Sequence, residues 1–297
     1  MAEIKREGEK VWLDLDPYYP PKFKQPVTDF KAIAITLKTM GSKLSYEHLM
    51  GISGTAFRFQ LAEDWCPSSP HPFCGFNCGQ VAWKALKLNN VSKTYQLTKK
   101  NAGPVVEEII ASIEKGIPVV AGTEETGLIV GYINDGKKNK IIVRQPYSNK
   151  GDEPDVIPLV PARINIFTGV HNMPDNQNYL DSLHLAIKLM NMENADGYKS
   201  GFAAYNYWIS SLLDENQLKK LKRIGEAELS NQNAHIYYCL VDARECAAKY
   251  LAMLEKVIND RIHQHLMQTI GYYTDIVEKL QNGMQNIVWD WEFSYYV

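Results

Sequence analysis

Ile117-Pro118-Val119-Val120-Ala121-Gly122, Gly127-Leu128-Ile129-Val130-Gly131-Tyr132-Ile133 and Lys140-Ile141-Ile142-Val143-Arg144-Gln145 are the runs on which the fold reading turns. Each is short and rich in apolar or β-branched residues, and the last two are separated by the turn sequence Asn134-Asp135-Gly136. The stretch therefore reads as a strand followed by an antiparallel hairpin. Residues 162–170 read as a further strand. Upstream the period is helical. Residues 29–41 place Phe30, Ile33, Ala34 and Leu37 on one face, with Asp29 as N-cap and Gly41 as stop. A second helix is expected from Cys78 to about Leu88, and a third between Lys99 and Gly116 with Val105, Ile109 and Ile113 on one face. Between them, residues 51–72 are rich in Gly, Ser and Pro and read as an ordered loop. Helices followed by an antiparallel sheet make an α+β class, not a doubly wound one.

Past His171-Asn172-Met173-Pro174-Asp175 the strand signals stop. Leu180, Leu183, Ile187 and Met190 form one apolar stripe, and Tyr198, Phe202, Tyr205, Ile209 and Leu212 a second. Ile236, Leu240, Ala243, Ala247, Tyr250 and Leu254 continue the pattern, as do Leu266, Ile270, Tyr273, Val277 and Leu280. The expected organisation is an α+β domain over 1–173 and a helical bundle or cap over 174–297 packed on it.

Composition bounds the function classes. The chain has 297 residues, 45% hydrophobic and 22% charged, with 32 basic and 34 acidic side chains for a net charge of −2. A chain so balanced has no overall field to attract a phosphate backbone, so nucleic acid is not an expected partner. No stretch approaches the roughly 20 apolar residues of a membrane span, so neither is a membrane. The charged start Met1-Ala2-Glu3-Ile4-Lys5-Arg6-Glu7 is not followed by an apolar segment, and the five cysteines are an odd count. A cytoplasmic protein with free thiols is the expectation.

Four features could carry chemistry. Cys78 opens a helix, where the dipole and unpaired N–H groups favour a thiolate. Cys66, His71, Cys74 and Cys78 lie close in sequence, but their spacing fits no usual zinc pattern, so no metal and no cofactor are expected. Cys66, between Trp65 and Pro67, is expected on the wall of a cleft. Glu125 immediately precedes an apolar strand, where burial would raise its pKa and suit it to general-base work. Cys239 and Cys246 are one heptad apart and read as core residues.

Several segments together resemble the papain-like cysteine-peptidase superfamily, in the branch of the bacteriocin-processing peptidases and butirosin-type acyltransferases, and a bacterial subgroup of that branch. They are Ser45-Tyr46-Glu47-His48-Leu49-Met50-Gly51-Ile52-Ser53-Gly54-Thr55-Ala56-Phe57-Arg58, Trp65-Cys66-Pro67-Ser68 and Gly127-Leu128-Ile129-Val130-Gly131-Tyr132. Ala203-Ala204-Tyr205-Asn206-Tyr207-Trp208 and Asp242-Ala243-Arg244-Glu245-Cys246-Ala247 are similar to its helical extension. The resemblance implies a papain-like α+β domain with a catalytic cysteine opening the first helix, a histidine opening the strand that ends in Gly-Tyr-like residues and an aspartate before proline on the following strand. Here the first helix opens with Thr28-Asp29-Phe30, Glu125 stands where the histidine would be, and Gln145-Pro146 replaces Asp-Pro. Without thiolate, imidazole and orienting carboxylate the usual acyl-enzyme route loses its parts.

The function expected is thus a pseudoenzyme that binds a small molecule or peptide in the family's cleft through Glu125, Gln145, Tyr132, Arg58 and Cys66. The alternative is an acyl-transfer or amide-hydrolysis enzyme with a rebuilt site, using Cys66 or Cys78 as nucleophile and Glu125 as base. A third class is an interaction protein whose helical half forms a homo-oligomer.

Overall fold

A computed structural model describes residues 1–15, 18, 25–98, 100–122, 125–134, 140–145, 155–158, 163–169, 173–221, 225–255, 257 and 260–287. In chain order the first elements are β1 (Glu3–Glu7), β2 (Lys10–Asp14), α1 (Thr28–Thr39), α2 (Tyr46–Ile52), β3 (Gln60–Leu61), α3 (Cys78–Ala85), β4 (Ser92–Gln96) and α4 (Ala102–Ile113). Then come β5 (Val119–Gly122), β6 (Thr126–Ile133), β7 (Lys140–Arg144), β8 (Asp155–Pro158) and β9 (Arg163–Phe167). The C-terminal part holds α5 (Asn176–Met190), β10 (Asn194–Ala195), β11 (Tyr198–Ser200), α6 (Gly201–Leu213), α7 (Glu215–Leu221), α8 (Glu226–Leu254) and α9 (Asp260–Gly283). The class is α+β with a helical C-terminal region.

The described residues divide into two compact units: Met1–Tyr46 with Leu86–Met173, and Glu47–Ala85 with Pro174–Val297. One boundary lies after residue 173, where the sequence pattern changes. The other two, after Tyr46 and after Ala85, set residues 47–85 in the same unit as the C-terminal helices.

The first unit is built on an eight-stranded antiparallel sheet ordered β1-β2-β6-β5-β9-β4, with β7 pairing both β6 and β8. Helices first and strands afterwards was too simple a reading, because β1, β2 and β4 precede or interrupt the helices. β1 and β4 hide in the sequence because they lie at ends of the strand order and carry charged or polar side chains, as Glu3-Ile4-Lys5-Arg6-Glu7 does, and β2 because its apolar run Val11-Trp12-Leu13 is only three residues long. β6 is the central strand. It pairs with β5 through residues 126–129, with β2 through residues 131–133, and with β7 on its other side. A bulge between Ile129 and Gly131 bends it where β2 arrives. Gly131 permits that approach, since a Cβ there would stand 2.3 Å from the Val11 carbonyl oxygen.

One face of the sheet is closed by α4, whose Val105, Ile109 and Ile113 join Val11, Leu13, Val119, Ile129, Ile141 and Ile164 in one core cluster. The i, i+4 spacing read from the sequence produces this face directly. α1 packs on β5 and β6 with Phe30, Ile33 and Leu37 buried, and none of its residues joins the α4 cluster.

In the second unit β10, β11 and β3 form a small antiparallel sheet. The strand in residues 198–200 was read as the start of a helical stripe, and the helix begins instead at Gly201, whose φ of +55° suits glycine. α8 buries Ile236, Leu240, Ala243, Ala247, Tyr250 and Leu254 as the stripe requires, and Cys239 and Cys246 lie buried beside them. α9 returns along it, and the Tyr237 hydroxyl donates to the Leu280 carbonyl at 2.7 Å.

α8 also carries a pH dependence. Burial pushes the His235 imidazole down to about 4, and its Nε2 lies 3.5 Å from the Cys239 sulfur. A folded-state value below the unfolded one means that the unfolded chain takes up the proton first. Stability is then complete above about pH 6.5 and is lost as the pH falls toward 4. Between pH 7 and pH 5 the loss from His235 is expected to be about 2 kcal/mol. Denaturant unfolding at the two pH values should show it for the wild type and markedly less of it for His235→Gln.

Candidate functional site

The first turn of α1 and the first residues of β6 are tied together twice. The Thr28 hydroxyl donates to Glu125 Oε2 at 2.7 Å, and the Thr126 hydroxyl donates to Asp29 Oδ1 at 2.9 Å. Two adjacent residues of the helix thus grip Glu125, just before β6, and Thr126, its first residue. The Thr126 N–H adds a bond to Thr28 Oγ1 at 3.2 Å, and the Tyr18 hydroxyl lies 2.7 Å from the Thr126 carbonyl oxygen and 3.1 Å from that of Thr28. From β9, Arg163 donates through Nη2 to Asp29 Oδ1 at 2.6 Å.

Burial separates the roles of these groups. Thr28, Asp29 and Thr126 are buried, whereas Glu125 is half-buried and the Arg163 side chain is 40% exposed. A carboxylate sealed in the first turn of a helix is tolerated because the N-terminal N–H dipoles and the guanidinium both favour its charge. Asp29 is therefore not an N-cap as the sequence suggested: the cap position is Val27, and Asp29 turns inward to Thr126 and Arg163. Lys31, also buried, places its ammonium 5.0 Å from the centre of the Tyr18 ring.

The other predicted site residues fall in different places. Gln145 follows β7, is exposed, and its Cα lies 3.4 Å from where a Cβ on Gly127 would stand, at the same end of β6 as Glu125. Tyr132 sits at the far end of β6 in the α4 core, and its hydroxyl donates to Glu114 Oε1 at 2.5 Å. Arg6 and this phenol hold the Glu114 carboxylate below its ordinary range, and burial raises the phenol. Tyr132 is thus a packing residue apart from Glu125.

Arg58, Cys66 and Cys78 belong to the second unit. Arg58 is 5% exposed and donates to four main-chain carbonyls, those of Cys74 and Phe76 through Nη1 and those of Pro70 and His71 through Nη2. The loop folds around the guanidinium, which is committed to four carbonyls of that loop. Gln60 adds bonds from Nε2 to the Ser69 and Cys74 carbonyls, both at 2.8 Å. Cys78 opens α3 as expected but is fully buried. Burial raises its thiol, and the opposing influence of Arg58 is smaller. The helix-terminus argument for a thiolate therefore fails on desolvation. Cys66 is half-buried with its sulfur 2.9 Å from Ser68 Oγ. His71 accepts from the Phe73 N–H through Nδ1 at 3.3 Å, while His171 lies outside the described residues.

Among the described residues no three His, Cys, Asp or Glu side chains are grouped to hold a metal, and no helix is long and apolar enough to cross a membrane. Sequence reasoning missed Thr28, Thr126 and Arg163 as partners. The available signal was an acidic residue in the first turn of an otherwise apolar helix, which needs a cation or hydroxyl once that turn is buried. The chain matches no family model, no curated protein and no solved structure.

Proposed function

We propose that this chain is a papain-like protein without peptidase chemistry, in which the centre around Glu125 binds a small polar molecule or a peptide. The observation that carries the reading is the 2.7 Å bond from the Thr28 hydroxyl to Glu125. It joins the opening of the first helix, where the resembled family has its nucleophile and this chain has Thr28-Asp29, to the position of the family's histidine. A hydroxyl sealed from solvent is a poor nucleophile, whereas a half-buried carboxylate presents an acceptor group toward solvent. Glu125 would accept from an amine or hydroxyl of the ligand. Arg163, bound to Asp29 with its side chain 40% exposed, and the exposed Gln145 would bring donor groups to acceptors of the ligand. The alternative enzyme with a Cys78 nucleophile has less support, because burial keeps that thiol protonated.

The test combines an epoxide-bearing, thiol-directed peptide probe with thermal-shift titration against dipeptides and amino sugars. No labelling is expected, together with stabilisation by an amine-bearing compound that disappears in Glu125→Gln. Labelling that is lost in Cys78→Ala or Cys66→Ala would overturn the reading, as would stabilisation indifferent to Glu125→Gln or absent throughout.

A further inference from the structure

The helical unit contains a cavity of about 420 Å³, walled by α5, α8 and α9 and by Phe57 and Phe202. That lies within the roughly 300–1,000 Å³ typical of small-molecule sites. Its floor is mainly apolar: Phe57, Leu251 and Leu266 are buried, and the Tyr273 ring stands edge-on to Phe57 with centroids 5.7 Å apart. Burial raises the Tyr273 phenol. The mouth is different. Ile187 and Phe202 are 64% and 58% exposed, and His265 and Asn191 reach the same rim with polar groups. Asn191 Nδ2 gives one hydrogen to the Ile187 carbonyl at 2.8 Å and has a second to offer, while the imidazole offers a ring N–H.

A mainly apolar floor with exposed polar groups at the rim selects an amphiphile that enters tail first. We infer that this cavity binds a medium-chain fatty acid, its alkyl chain against Phe57, Leu251 and Leu266 and its carboxylate at His265 and Asn191. The site lies wholly within the second unit and does not depend on the Glu125 centre.

Calorimetric titration of the full chain with decanoate, decanol and butyrate tests it. Decanoate is expected to bind once per chain and butyrate at least roughly tenfold more weakly, because the shorter chain leaves the floor unfilled. His265→Ala should weaken decanoate about fivefold and leave decanol unchanged, since only the carboxylate uses the imidazole. Ala186→Phe projects a ring into the cavity and should remove binding of both. Ile187→Trp obstructs the exposed mouth without touching the core and should weaken both at least roughly tenfold. No binding of decanoate, equal binding of butyrate, or decanoate affinity unchanged in both Ala186→Phe and Ile187→Trp would overturn the inference.

Discussion

Arg58→Met is expected to lower the unfolding free energy by about 4 kcal/mol, although methionine is apolar and of adequate length for a buried site. The guanidinium holds four carbonyls, those of Pro70, His71, Cys74 and Phe76, at 2.7–3.0 Å. A buried acceptor stripped of its donor costs about 1–3 kcal/mol, and relaxation of the loop recovers part of the sum. Arg58→Lys should recover less than half of the loss. A lysine ammonium carries the charge but cannot present a planar fork to four acceptors. Denaturant unfolding followed through tryptophan fluorescence reads both variants, with Trp65 buried in the same unit as a reporter. A loss below about 1 kcal/mol for Arg58→Met would show that the loop holds its shape without the guanidinium.

Gly51→Ala is expected to cost about 3 kcal/mol, against the usual sign for a helical glycine. Alanine in the interior of a helix normally gains about 1 kcal/mol over glycine. At Gly51, in α2, the added Cβ would stand 2.1 Å from Cγ of Tyr250, so the ring itself must move. That ring is fully buried, and its hydroxyl is 2.7 Å from Ser182 Oγ. Overpacking at a site so fixed outweighs helix propensity. The midpoint of denaturant unfolding should fall accordingly. The double variant Gly51→Ala, Tyr250→Leu should lose less than the sum of its single changes, because the smaller side chain leaves room for the methyl. Strict additivity, or stabilisation by Gly51→Ala, would contradict the packing argument.

The sheet's interior strands and the long helices were legible in the sequence because each buries a face, and burial writes a period of 2 or 3.6 into the chain. Val105, Ile109 and Ile113 on α4, and Ile236, Leu240 and Ala247 on α8, occupy the core positions that their spacing predicts. Glu125 was legible as a candidate from its place beside an apolar strand and from the family resemblance. β1 was not, since its side chains are charged and carry no apolar period, and β2 was missed because its apolar run Val11-Trp12-Leu13 is only three residues long, although Val11 and Leu13 are buried in the α4 core.

Which polar groups meet is set by long-range folding. Thr28 and Glu125 are 97 positions apart, and Asp29 and Arg163 are 134 apart, so no local pattern links them. Tyr132 and Arg58 carry the polar groups of a ligand site, yet one is fastened to Glu114 and the other to four carbonyls of a loop. Cys78 occupies the helix terminus that lowers a thiol's pKa, yet its burial raises it. Residue type and local position set what a side chain can do. Its partners and its access to water are set by segments distant in sequence, whose approach depends on the whole core having formed.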